Sequence, residues 1–429
     1  MREMKDSGVE WIGEIPKSWD LNRVKFVSTY NDESLKDSCD PEAEIEYVEI
    51  GSVTLEQGVK SSETMRFKDA PSRARRIARR GDIIISTVRT YLKAIAQIET
   101  DSYIVSTGFC VIRPKESVDS RFLKYFCSSE LFTDLVAAHS VGISYPAINA
   151  STLVDFHIIC PPFSEQCMIA DLLDEKCAHV DTLIANVQAQ IEKLKAYKQS
   201  VITEAVTKGL DPTAPMKDSG VEWLGEVPAH WGIFRIANLY AERSESGLPE
   251  LPILTVSINS GVSDHEIADK DKDRVFIRME DRTKYKRVCP GDLTYNMMRA
   301  WQGAFGAVRV DGLVSPAYVV AKPKNEIPLD SRYIEALLRT PVAIEEMHRY
   351  SRGIIDFRLR LYWPEFKNIQ ICLPPFDEQT RIADYIDEIA SKVDSLIAIK
   401  QAKIEKLEQY KRSLIYEYVT GKKEVPAQT

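Results

Sequence analysis

The side chains in this sequence best suited to chemistry are arginines, and the chemistry they suit is contact with phosphates and base edges. Residues 66–93 hold nine basic groups, Arg66, Lys68, Arg73, Arg75, Arg76, Arg79, Arg80, Arg89 and Lys93, against Asp69 and Asp82, a local charge of +7 in a chain whose net charge is −8. A second zone begins with Arg-Thr-Lys-Tyr-Lys-Arg at 282–287, +4 in six positions, and continues through Arg349, Arg352, Arg358, Arg360 and Lys367 against Asp356 and Glu365. A guanidinium fork matches the two major-groove acceptors of guanine, and any cation can hold a phosphate. Arg89 and Arg299 each lie seven residues beyond the Asp of a Gly-Asp pair and close to an aromatic residue, Tyr91 or Trp301. They are the first candidates for base contact, with Thr87 beside them. Arg73, Arg75, Arg76, Lys284, Lys286 and Arg287 are candidates for phosphate contact. The loops Gly142-Ile143-Ser144-Tyr145 and 352–360, with Arg352, Arg358 and Arg360, complete the set. The overall negative charge therefore does not exclude a nucleic acid partner.

Catalytic patterns are missing. There is no Gly-rich phosphate loop ending in Gly-Lys-Ser/Thr, no Gly-x-Gly-x-x-Gly and no Gly-x-Ser-x-Gly. Six histidines, at 139, 157, 179, 230, 265 and 348, form no His-Glu-x-x-His run, and eight cysteines include no Cys-x-x-Cys pair, so neither a catalytic residue nor a metal site is expected. The cysteines are expected to be reduced and structural. Cys160-Pro161-Pro162-Phe163 and Leu373-Pro374-Pro375-Phe376 look like the Pro-Pro-aromatic motif of amino-methyltransferases. That motif needs Asn, Asp or Ser before the prolines, and Cys or Leu cannot bind an amine in their place. The start of the chain lacks the apolar stretch of a signal peptide and no apolar run approaches the ~20 residues of a membrane span, so a cytoplasmic protein without membrane contact is expected.

The elements that must position the arginines occur twice. Met4–Trp19 and Met216–Trp231 agree at 12 of 16 positions, and Pro161–Thr207 and Pro374–Thr420 agree at 28 of 47. The stretches between them barely match but share Gly81-Asp82 with Gly291-Asp292, Arg89 with Arg299, Ser120-Arg121 with Ser331-Arg332, and Gly142 with Gly353. The period is far too long for a solenoid. Repeated segments that bracket divergent ones imply one shared mechanical job and two different recognition jobs.

The longer repeats read as helices. No Pro or Gly interrupts Ser164–Lys208 or Asp377–Thr420, Ser164 and Asp377 are N-cap types, and Gly209 and Gly421 are natural stops. Each would be roughly 65 Å long. Apolar residues recur at intervals of seven, Leu173, Val180, Val187, Leu194 and Val201 in the first, and Ile386, Val393, Leu407 and Leu414 in the second, where Lys400 breaks the series. Ile184, Ile191 and Tyr197, and Ile389, Ile397, Ile404 and Tyr410, widen the stripe. Matching stripes suggest that the helices pack on each other as an antiparallel coiled coil. Packing of each helix on its own globular domain is the alternative.

The segments between are expected to be mixed α+β, with strands at 81–87, 102–105, 109–112, 292–295, 313–314 and 318–320 and helices at 120–126 and 332–338. The fold class is α/β with long α-helices, internally duplicated. Its segments are a repeat box at 1–19, a recognition domain at 20–160, a long helix and linker at 161–215, a second box at 216–231, a second recognition domain at 232–373 and a second long helix and tail at 374–429.

The two boxes, the Pro-Pro-Phe-x-Glu-Gln segments at Pro161–Gln166 and Pro374–Gln379, and the Ile-Glu-Lys-Leu-x-x-Tyr-Lys runs at Ile191–Lys198 and Ile404–Lys411 resemble the specificity subunit of type I restriction-modification systems. The resemblance extends over essentially the whole chain. It implies that each variable domain reads one half of a two-part target in double-stranded DNA, while the helices set the spacing and dock two methyltransferase subunits, with restriction subunits as further partners. S-adenosylmethionine, ATP and Mg would then belong to partner chains. The long-helix faces and the boxes, with Trp11, Trp19, Trp223 and Trp231, are the expected protein contacts, and packing of each helix end to a domain is an equally open role for each tryptophan. A scaffold protein whose arms bind proteins rather than DNA would share the duplication and the helices, but not salt-dependent duplex binding.

Overall fold

The computed structural model describes residues 2–258, 260–266, 281–324, 326–353 and 359–426. Its contacts divide the chain into one unit of residues 1–188 and 401–429 and a second of residues 189–400. The divisions fall inside the two long helices, Phe163–Lys208 and Phe376–Val419, so each helix contributes to both units. Both helices begin one residue before the expected caps. The carbonyls of Pro162 and Pro375 already accept from the third and fourth following residues, which places Ser164 and Asp377 inside the first turn.

In the first unit a four-stranded sheet has the order 95–97, 83–86, 109–114, 28–30. Its strand Ile83–Ser86 is buried at all four positions, as β-branched residues covered on both faces should be. A second four-stranded sheet, ordered 63–66, 44–48, 102–106, 74–79, includes the parallel pair 102–106 with 44–48. Helices Ser120–Ser128 and Glu130–Ala138 pack on the first sheet through Phe122, Phe126 and Phe132.

The second unit repeats the central sheet as 305–307, 293–296, 318–323, 240–242. Helices Ser331–Leu338 and Pro341–Tyr350 stand in sequence where the two helices of the first unit stand. In place of the second sheet the described residues hold the pair 286–288 with 312–314. All six expected strands and both expected helices form, with boundaries moved by at most three residues.

The repeated motifs latch each unit together. Trp19 is completely buried and its indole N–H donates to Glu165 at 2.8 Å; Trp231 is equally enclosed and donates to Glu378 at 3.2 Å. His230 also contacts Glu378, at 2.8 Å, and Arg2 pairs with Glu165. The neighbouring glutamine does a second job. Gln166 accepts from Asp119 N at 3.0 Å and donates to Pro161 O at 2.9 Å; Gln379 accepts from Asp330 N and donates to Pro374 O, both at 2.9 Å. Asp119 and Asp330 in turn cap the following helices, and Arg121 and Arg332 reach across to Asp171 and Asp174, and to Asp384 and Asp387. Because Gln379 is 1% exposed, its replacement by Ala strands the Asp330 N–H and the Pro374 carbonyl. Thermal unfolding of Gln379→Ala should show a loss of about 1–3 kcal/mol; an unchanged melting curve would refute the latch.

Of the two roles open to the box tryptophans, burial gives Trp19 and Trp231 the packing one and removes them from the expected partner contacts. They are core residues, whereas Trp11 and Trp223 are half-buried, with the Trp223 indole donating to Gln370 O at 3.1 Å. Each long helix stops at a glycine in the left-handed region, Gly209 at φ +78° and Gly421 at φ +72°, and a Cβ on Gly421 would lie 2.4 Å from Pro16 and 2.9 Å from Trp19. Only glycine both turns the chain there and lets the box close over the helix end.

Along the helices Leu173, Val180, Val187 and Leu414 are buried in the first unit, where Leu407 is half-buried. In the second unit Ile386 and Val393 are buried, and Leu194 and Val201 are half-buried. Lys198 pairs with Asp394 at 2.8 Å, and Lys400, at its odd stripe position, donates to Gln190 at 2.6 Å. Within that unit, numbers fall along one helix as they rise along the other, so the paired segments run antiparallel. In the first unit Lys411 binds Asp181 at 2.6 Å. Tyr197 and Tyr410 depart from expectation: each is 53% exposed and lies off the buried stripe. No helix among the described residues is long and apolar enough to cross a membrane.

Candidate nucleic-acid interface

The Gly-Asp pairs that mark both variable domains are folding devices. Asp82, 2% exposed, accepts from Arg79 N at 2.8 Å and holds Arg113 with both oxygens at 3.0 and 2.8 Å. Asp292, fully buried, accepts from Cys289 N at 2.8 Å and pairs with Arg243 at 2.9 Å. The arginine comes from strand Phe109–Pro114 in the first unit and from just beyond strand Tyr240–Glu242 in the second, so only the aspartate is legible as a repeat. Burial pushes the Asp292 carboxyl upward, against the Cys289 N–H and the Arg243 charge. The strand that follows each aspartate ends in the turn that carries the principal arginine.

In the first unit that turn is Thr90–Leu92, flanked by Arg89 and Lys93 in the left-handed region at φ 52° and 48°. Non-glycine residues hold that conformation at a cost of about 1–3 kcal/mol, where surrounding contacts enforce it. The enforcing contacts come from segment 140–148. Ile148 N donates to Thr87 O at 2.9 Å, Val88 bridges to Ala147, and the Thr90 hydroxyl donates to Ser140 Oγ at 2.7 Å. The Arg89 guanidinium sits 4.9 Å from the Tyr145 ring centroid. Arg73 joins the same edge through its backbone, since Thr107 N donates to Arg73 O and Thr87 N to Gly108 O, both at 2.8 Å. Arg73, Arg89, Tyr91, Ser144 and Tyr145 are all exposed there. Thr87 is buried, its hydroxyl donating to Gly108 O at 2.9 Å, so it supports the edge.

The rest of the basic zone is largely neutralised. Arg66 and Lys68 share Glu42, Arg75 meets Asp37 and lies over Phe67, Arg79 meets Glu33, Arg80 meets Asp101 and Lys93 meets Asp134. Arg76 is partly buried near Cys110. Burial pulls its guanidinium downward, while the Cys110 thiol is pushed up to about 12. The +7 of the sequence is therefore concentrated on Arg73 and Arg89, neither of which has a carboxylate partner among the described residues.

The second unit builds the same kind of edge with other side chains. Arg299 precedes the turn Ala300–Gln302, and Leu361 N donates to Met297 O at 2.8 Å, as Ile148 does to Thr87. Trp301 donates to Met298 O at 3.0 Å and meets His348 edge to face at 5.7 Å. Arg299 is half-buried, close enough to Tyr318 to oppose the upward push that burial gives that phenol. Arg352 and Arg360 bridge through their backbones, Arg360 is exposed, and Arg352 pairs with Glu365 at 2.9 Å. Arg358 lies outside the described residues. Lys286 donates to Tyr318 O at 2.7 Å, Arg287 lies between Asp311 and Glu245, and Lys284 is exposed with Asp281 at 3.8 Å.

Sequence reasoning missed Ser140 and His348, which hold the edges together. Neither belongs to a repeat or a charge run. All eight cysteines are free thiols.

A sequence model of the type I restriction modification DNA specificity domain matches residues 42–193, a span that enters the first long helix. The chain resembles type I specificity subunits. The MjaVIII specificity subunit of Methanocaldococcus jannaschii is 24% identical over 339 residues, 74% of this chain and 74% of that protein. The EcoKI specificity subunit of Escherichia coli K12 is 24% identical over 310 residues, 67% of this chain and 62% of that protein. A chain from structural work on complex assembly and conformational transition of the type I R-M system superposes with a TM-score of 0.70 at 22% identity, over 95% of this chain and 99% of that one. At that identity the likeness is one of fold.

Proposed function

We propose that this chain is the non-catalytic DNA sequence-specificity subunit of a type I restriction-modification complex. Each unit reads one half of a two-part target through its turn-and-loop edge. The observation that carries this reading is the recurrence, in both units, of an arginine at the turn after the strand that follows the buried aspartate, Arg89 over the Tyr145 ring and Arg299 near Tyr318. Guanidinium forks in such a position suit guanine edges, and Arg73 suits a flanking phosphate.

The antiparallel long helices act in this proposal as a two-helix coiled coil that fixes the spacing of the half-sites, and their solvent faces dock two methyltransferase subunits. Restriction subunits join the same assembly. S-adenosylmethionine is the methyl donor on the methyltransferase chains, and ATP with Mg serves the restriction chains.

The deciding experiment is methylome sequencing of cells that carry this chain with its methyltransferase. A split motif with a fixed spacer supports the proposal, and a single continuous motif overturns it. Arg89→Ala should weaken specific duplex binding by about 5- to 150-fold, the 1–3 kcal/mol of one bidentate base contact. Arg73→Ala should weaken all duplexes alike and reduce the slope of log K against log salt by about one. Filter-binding titrations at several salt concentrations distinguish the two roles. A scaffold that binds only proteins would show no slope.

A further inference from the structure

Loop Val141–Ala147 presents apolar side chains to solvent in a manner that folding does not explain. Ile143 is 104% exposed, Val141 82% and Tyr145 66%. The loop is clamped at its base, where Val141 N donates to Ala147 O at 2.8 Å and Ala147 N to Val141 O at 3.0 Å. Gly142, at φ +119°, permits the reversal, since a Cβ there would meet Tyr145 O at 3.1 Å. Ile143 therefore stands at the tip of a fixed loop. On the same platform Arg89 rests over Tyr145, two residues away from Ile143 in sequence, and Thr90 is tied to Ser140 at the loop's start.

An isoleucine held out fully exposed, on the loop whose Tyr145 carries an arginine without a carboxylate partner among the described residues, buries no area in the free protein. It has a use if the surface it meets is apolar and lies next to a guanine. In the major groove of a duplex the apolar group is the C5-methyl of thymine, and apolar side chains contact it directly. Resting on the reading proposed above, we propose that Ile143 is a specificity-determining residue that contacts a thymine methyl group next to the base pair read by Arg89. The occupant is then a duplex with an A·T pair in the first half-site.

Replacing thymine by deoxyuridine removes that methyl group and nothing else. The full chain in complex with its methyltransferase should bind a target with deoxyuridine at one position of the first half-site about fourfold more weakly, the equivalent of one buried methyl group. Ile143→Ala should bind the normal target about fourfold more weakly and be indifferent to the same replacement. Ile143→Leu, which keeps an apolar tip, should retain part of the sensitivity. The inference is overturned if no deoxyuridine position in the first half-site affects the unmodified protein, if Ile143→Ala still discriminates, or if that half-site holds only G·C pairs. In each of these outcomes specific binding to a split site persists, so the DNA-reading proposal stands. Failure of that proposal shows differently, as no specific binding to any duplex.

Discussion

Replacing Trp231 by alanine is expected to destabilise the second unit by about 3–5 kcal/mol, the range for deleting a large aromatic side chain from a packed core. The side chain is 1% exposed, packs edge to face against Tyr333 at 6.3 Å and donates to Glu378. Its loss leaves a cavity beneath the start of the second long helix and removes one of the two contacts of Glu378, leaving that to His230. The Tyr333 hydroxyl, donating to Val206 O at 3.0 Å, ties the end of the first long helix to the same spot, so that end should loosen too. Amide hydrogen exchange is the suitable measurement. Protection should fall across residues 189–400, while residues 20–160 keep theirs. Trp19→Ala should produce the converse pattern. Equal loss of protection in both units would contradict the division into two cores, and no loss would contradict the latch.

Lengthening both long helices by one turn, after Val187 in the first and at the facing level near Ile404 in the second, should abolish methylation at the native target. A four-residue insertion adds about 6 Å at 1.5 Å per residue, close to two base-pair steps of a duplex that repeats every ~34 Å. New methylation should appear at the same two half-sites with a longer spacer. Matching the insertions is necessary because Lys411 with Asp181 in one unit, and Lys198 with Asp394 in the other, fix a register that a single insertion would break. Methylome sequencing reads both the half-sites and their separation. An unchanged spacer would remove the helices from any measuring role, even with DNA recognition intact.

Much of this organisation is legible in the residues. The repeats, the uninterrupted helices and their terminal glycines depend on local rules, and Gly209 and Gly421 stop the helices where glycine is expected to. Strand Ile83–Ser86 announces itself by β-branched residues. Charge was less transparent, because the carboxylates that neutralise Arg66, Arg79 and Lys93 are Glu42, Glu33 and Asp134, all at least 24 positions distant. A window of sequence counts cations and cannot see acids that only the fold delivers. Trp19 and Trp231 stayed undecided for a related reason: a tryptophan in a repeated box reads equally as a docking residue or as a core residue until its indole partner is known. Ile143 could be named within a loop, but its full exposure depends on the clamp between Val141 and Ala147.

The first unit draws its core from both ends of the chain. Ile12, Ile15 and Trp19 share one cluster with Leu414, Ile415, Tyr418 and Val419, whereas the second unit is a continuous segment. On the ribosome, therefore, all the residues of the second unit emerge before the first unit has its last ones. The core of the first unit waits for Leu414, Ile415, Tyr418 and Val419, which follow its helix Ser120–Ser128 by roughly 300 residues. A chain whose emerged part stops at residue 400 would hold every residue of the second unit and lack the helical segment that closes the first. Translation thus sets the order in which the two units are completed, and the one encoded first is finished last.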